Sequence, residues 1–348
     1  MVFEEALQNI AFGLVRIGSF AANAFLFGLP LLLLFVLRPG LARGDGEGVS
    51  AARRRVAGRL EGLVQAALWA SGVGAGLTLV LQALLAADLQ GGGFDAGAFS
   101  DVADSSFGRW YLLRLPLLAA LAVMLAGKIR TSSTAGLQEG DDPPAPKPLW
   151  WVAWIGLALC LLSTSSFSGH ASVSTPLALA LVNDIVHLGS GALWFSGIVV
   201  LATVVPDAAR AEGAQRRLSL VTPLVVRFSR VALASIAIVA LTGTFNSLFN
   251  LETPGDLVDS GYGRLLSTKI VVFLGVIVLG AINHLYVRRR LEKAVAAQTS
   301  TSASRLFKKT IAIELTLALL LMGLTGFLVG SARTRPSAAG AAHVISAR

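Results

Sequence analysis

The chain has 348 residues, of which 54% are hydrophobic and 14% charged, with a formal net charge of +9 and a mean hydropathy of +0.70. A soluble domain carries about 25% charged residues, so this composition excludes an ordinary water-soluble fold. A single cysteine, Cys160, excludes an internal disulfide framework, a CxxC redox pair and a thiolate-cluster metal site.

Taken in chain order, the first residues carry Glu4 and Glu5 where a signal peptide would place Lys or Arg, so the first apolar run reads as a permanent span over 8–37. Further runs long enough to cross a bilayer fall at 60–87, 109–127, 149–168, 177–205, 228–250, 264–286 and 311–331. The pattern predicts an all-α, polytopic membrane protein with eight transmembrane helices. Arg38, Arg43, Arg53, Arg54, Arg55 and Arg59 follow the first span, and Arg288, Arg289, Arg290, Lys293, Arg305, Lys308 and Lys309 follow the seventh. The alternate connections hold Asp88, Asp95, Asp101 and Asp104, then no charge at 169–176, then Glu252, Asp256 and Asp259. Because Lys and Arg mark cytoplasmic loops, both termini are expected outside a cell (inner) membrane. The basic surplus then reflects orientation and anionic lipid rather than nucleic acid.

One octapeptide recurs. Phe107-Gly108-Arg109-Trp110-Tyr111-Leu112-Leu113-Arg114 opens the third span, and Tyr262-Gly263-Arg264-Leu265-Leu266-Ser267-Thr268-Lys269 opens the seventh. Both place aromatic-Gly-Arg ahead of a second base, on helices running the same way, so a parallel four-plus-four repeat is expected with Arg109 and Arg264 as equivalent anchors. The alternative is that each is simply a belt aromatic with a snorkelling Arg. The expected organisation is an N-terminal half over 1–148, a C-terminal half over 149–331 and a flexible outer tail over 332–348.

Polar residues inside a bilayer are expensive and so carry functional weight. The fifth span begins at Ser174-Thr175-Pro176 and continues to Asn183, Asp184, His187 and Trp194. Offsets of three and four put Asn183, Asp184 and His187 on one helix face, with Trp194 on the same stripe two turns further in. His187 falls about 16 Å past Pro176, near mid-membrane. Thr242 and Asn246 share a face on the sixth span about 12 and 6 Å below the outer surface, level with Asp184 at about 12 Å. Together they line a cavity open to the outside; alone, Thr242 equally suits a bond to its own helix and Asn246 a helix end. His170 precedes the fifth span in a short outer loop, where imidazole is accessible to metal. His284 sits at the inner end of the seventh span, either interfacial or paired with Glu314 of the eighth. Arg16, Arg114 and Lys269 are further intramembrane charges, snorkelling or paired, and His343 falls in the tail.

Gly169-His170-Ala171, Asp184-Ile185-Val186-His187-Leu188, Ala192-Leu193-Trp194-Phe195-Ser196-Gly197, Arg227-Phe228-Ser229, Thr242-Gly243 and Tyr262-Gly263-Arg264-Leu265-Leu266 with Lys269 resemble, in order and spacing, the bacterial copper resistance protein D family. The similarity centres on about 180–290; Ile198 stands where the family commonly has a second Gly. The resemblance implies an eight-span inner-membrane protein of copper uptake and homeostasis, with copper ion as cargo and a periplasmic copper chaperone as a partner. The expected function is a copper permease or importer: His170 captures the ion, Asp184 and His187 hold it, and Asn183, Trp194, Thr242 and Asn246 line the cavity. With only three Met in the chain, the ligands are imidazole and oxygen rather than thioether. The alternatives are a haem-binding membrane protein and a non-transporting scaffold for the chaperone. No enzyme is expected, since neither a GxxxxGK[ST] phosphate loop nor HExxH occurs.

Overall fold

The structure is a computed structural model, and it describes residues 2–41, 47–89, 96–134, 146–168, 176–208, 213–251, 253–298 and 301–330. Among these residues every regular element is helical. Eight helices are long and apolar enough to cross a membrane: Phe12–Leu41, Ala51–Asp88, Ser106–Arg130, Pro148–Phe167, Leu177–Val204, Gln215–Leu248, Gly261–Ala296 and Ala303–Leu328. They are numbered here as the first to eighth spans. Several run past the expected limits: the second belongs to a continuous 43-residue helix, Glu47–Leu89, and the sixth to Ala214–Asn250. Apolar content marks only the stretch in hydrocarbon, whereas the basic flanks continue the helix into water. Large apolar side chains such as Trp69, Val123, Val152 and Val271 are exposed on the outside of the bundle, as a lipid-facing surface requires.

The first and fifth spans pack against each other, and each packs against the span that follows it. The third span packs on the fourth and the seventh on the eighth, so the two halves pair their helices alike. A central contact is set by Gly28, where any Cβ would collide with the backbone oxygen of Ala192 and the hydroxyl of Ser196. Small residues at such a crossing let two backbones approach closely, the main source of helix association in lipid.

Local devices recur with the pairing. The first span ends in a π-helical turn, Leu33–Leu37, followed by Arg38–Leu41 with Pro39. The fifth ends in a π-helical turn, Val200–Val204, followed by Val205–Ala208 with Pro206. Proline cannot donate to the preceding turn and crowds its carbonyl, and widening that turn relieves the clash. Before the third span the short helix Ala96–Asp104 leads to Ser105, whose hydroxyl accepts from the N–H of Gly108 at 3.0 Å and donates to the Val102 carbonyl at 2.6 Å. Before the seventh, the helix Asp256–Asp259 leads to Ser260, which accepts from the N–H of Gly263 at 2.8 Å and donates to the Asp256 carbonyl at 2.7 Å. The repeated octapeptide is therefore the visible part of a repeated helix-serine-helix corner. Arg109 and Arg264 sit exposed at equivalent places just after it.

Candidate functional site

The fifth and sixth spans run antiparallel and face each other with their polar residues in register. Asn183 donates through Nδ2 to the Thr242 carbonyl at 2.9 Å and to Asn246 Oδ1 at 2.7 Å. Asn246 Nδ2 donates in turn to Asp184 Oδ1 at 3.0 Å. One turn deeper, His187 Nδ1 meets Thr242 Oγ1 at 2.9 Å. A Cβ on Gly243 would lie 3.2 Å from the Cε1 of the same imidazole, so the ring rests against the sixth span's backbone. Ser166 of the fourth span and Lys269 of the seventh also act on the Asp184 carboxylate, so four helices converge on it.

Asp184 and His187 share one helix face, and the structure gives the imidazole a hydroxyl on the opposite helix as its partner. At this packing distance each polar side chain of one helix finds its partner across the gap: Asp184 meets Asn246 and His187 meets Thr242, matching rungs of an antiparallel pair. Thr242 also bonds its own helix, donating to the Ile238 carbonyl at 2.6 Å. A hydroxyl has one proton, and with that proton committed to Ile238 the Thr242 oxygen can only accept from His187. On that pairing Nδ1 is the donor to Thr242, and the ring also hydrogen-bonds the Val239 backbone.

Among the described residues no three His, Cys, Asp or Glu side chains gather into a metal-holding group. His170 lies outside the described residues, as does His343. Trp194 is buried two turns below His187. Two cavities open at the far end of the N-terminal half. One of about 500 Å³ is lined by Leu37, Arg38 and Arg53, and one of about 300 Å³ by Arg54, Lys128 and Trp151. Asn183, Asp184, Thr242 and Asn246 are knitted to one another by hydrogen bonds.

Two further polar groups emerge. Arg114, 3% exposed, is not snorkelling. It donates through Nε to Thr164 Oγ1 at 2.8 Å and through Nη2 to Ser165 Oγ at 3.3 Å, and lies 3.8 Å from the Tyr111 ring centroid. Deeper in the other half, Glu314 accepts from Asn283 Nδ2 at 2.7 Å, while His284 Nδ1 meets Ser229 Oγ at 2.7 Å. The sequence left His284 either interfacial or paired with Glu314, and the residue that bonds Glu314 is the one before it. Asn283 opens a π-helical turn, Asn283–Val287, which shifts the register of successive side chains and is invisible to a count of 3.6 residues per turn.

Residues 7–180 match the family model described as copper resistance protein D-like, N-terminal domain, and residues 222–328 match the model described as copper resistance protein D. The chain belongs to the copper resistance protein D family. Its relatives include the copper transport protein CutJ of Bacillus subtilis (strain 168), 26% identical over 227 residues, which are 64% of this chain and 39% of that protein. The copper resistance protein D of Pseudomonas syringae pv. tomato is 25% identical over 321 residues, 90% of this chain and 94% of its own. The chain thus spans well under half of the Bacillus relative and nearly all of the Pseudomonas one. No solved structure matches it. The two matched segments leave 181–221 between them, so Asn183, Asp184 and His187 stand just outside both, while Thr242 and Asn246 fall in the second. This copper resistance D-family chain is an integral, multi-pass helical membrane protein of a copper resistance and transport family.

Proposed function

We propose that the chain is a copper permease that admits copper ions from the outer side by way of Asp184 and His187. The observation that carries the reading is the hold of Thr242 on His187 Nδ1: if Nδ1–H donates to that hydroxyl, the imidazole is in the form in which histidine ligates a metal through Nε2. Asp184 adds negative charge one turn nearer the outside, and Lys269 is the cation that acts on it. An arriving copper ion takes over that role, and His170 is the residue proposed to deliver it. Asn183, Thr242 and Asn246 form the closed wall that separates to let the ion in, with Trp194 as the floor. With no phosphate-loop motif, movement follows the membrane potential, an ion gradient or delivery by a periplasmic chaperone.

A haem held by two histidines fits poorly. His187 and His284 are bonded to Thr242 and Ser229, which stand thirteen positions apart on one helix, a separation of about 20 Å.

The test is His187→Ala in detergent-purified protein, with bound copper and melting temperature measured on the same sample. The permease reading expects bound copper to be lost with the melting temperature little changed. Unchanged copper with a lowered melting temperature would make His187 a structural strut between two helices.

A further inference from the structure

Glu314 is the buried carboxyl that the outer cluster does not use. It is 4% exposed in the eighth span, about 16 Å from that span's inner end at Ala303, and so lies deep in hydrocarbon. An ionised carboxylate at such depth requires a cation partner. The groups acting on it are neutral, Asn283 of the seventh span and the indole of Trp194 of the fifth. The first span carries no charge between Ile17 and Leu37, and the fifth none between His187 and Asp207. On the seventh, the next titratable side chain, His284, is tied to Ser229; Tyr286, Arg288 and Glu292 lie further toward the inner end, and on the eighth itself the nearest charges are Lys308 and Lys309.

The hydrogen-bond pattern says what is missing. Asn283 gives its Nδ2 hydrogen to Glu314 Oε2, while its Oδ1 is buried with no donor. A carboxylic acid and a primary amide face to face make two bonds, amide N–H to acid C=O and acid O–H to amide C=O. The first is present, and a proton on Glu314 would supply the donor that Asn283 Oδ1 lacks. We propose that Glu314 binds an exchangeable proton, held against Asn283 and released as a copper ion passes Trp194 from the outer cluster, making this pair the counter-ion station of the permease. On release the O–H bond breaks, its electron pair stays on the carboxylate oxygen, and the proton leaves to water on the inner side. The negative charge left behind receives the incoming cation, and no electron changes hands. Trp194, on the His187 stripe and about 10 Å deeper, separates the two stations.

The release step rests on the permease reading, and the proton itself does not, so the experiment has two arms on lipid-reconstituted protein. Infrared difference spectra between acidic and alkaline buffer, with no metal present, are expected to show a protonated-carboxyl band in the parent protein that Glu314→Gln removes and Glu314→Asp retains shifted. A pH-indicator dye is expected to report protons released on adding copper(I), with release reduced in Glu314→Gln while copper bound at His187 is kept. Identical carboxyl bands in the parent and Glu314→Gln overturn the proposal. Loss of the band with no copper uptake by the parent leaves the proton on Glu314 and removes the permease. Copper uptake with proton release unchanged in Glu314→Gln keeps the permease and removes the counter-ion role.

Discussion

At the scale of the residue, the imidazole of His187 is oriented by its neighbour on the facing helix, and that changes which outer partner matters. Replacing Thr242 with Val keeps the shape and removes the oxygen bonded to Nδ1. Loss of such a supporting hydrogen bond typically weakens a metal ligand by roughly 10–100-fold. Copper titration of Thr242→Val is expected to show a loss of that size with the protein still inserted. Affinity equal to the parent's would detach the hydroxyl from the metal site. Spacing along one chain made it legible that Asn183, Asp184 and His187 share a face, and that Thr242 and Asn246 share another. It did not make legible which side chain bonds which, because pairing across two helices depends on their relative height and rotation. The Asn283–Glu314 pair was hidden for a second reason: the π-helical turn at Asn283–Val287 changes the angular step between residues.

At the scale of the element, apolar run length revealed the existence and order of all eight spans, while helix ends depended on flanks that remain helical after leaving the hydrocarbon. The close contact of the first and fifth spans had no sequence signal beyond one glycine among 36. Gly28 shows its role only against Ala192 and Ser196. Gly28→Val is therefore expected to force these two spans apart. Overpacking a well-fitted contact costs about 1–3 kcal/mol, which reads as a lower melting temperature in detergent. Because the displaced helix carries His187, copper binding should weaken with it. Gly28→Ala should do the same to a smaller degree, since even its single methyl meets the Ala192 carbonyl. Parent-like melting of both variants would mean that the crossing is looser than the backbone positions indicate.

At the scale of the whole molecule, the matched corners at Ser105 and Ser260, the matched π-helical turns before Pro39 and Pro206 and the equal pairing of helices support a duplicated unit with both copies inserted in the same sense. The copies have diverged in their polar interiors. The cation at the repeated position is Arg114 in one, bonded to Thr164 and Ser165, and Lys269 in the other, acting on Asp184. Same-sense insertion requires four spans per copy, an even number, so the connection leaving each copy returns to the side on which it began. On that arrangement the clustered Arg of 38–59 and the Lys and Arg of 288–309 are expected on one face, and both termini on the other. The positive-inside rule assigns the basic face to the cytoplasm. A reporter active only outside the cytoplasm, fused after Arg348, is expected to give signal, and the same reporter inserted near Gly48 none, with a cytoplasmic reporter giving the opposite pair. Signal from the outside reporter at Gly48 and none after Arg348 would invert the protein. Asp184 would then open to the cytoplasm and Glu314 toward the outside, and the permease would draw its copper from within the cell.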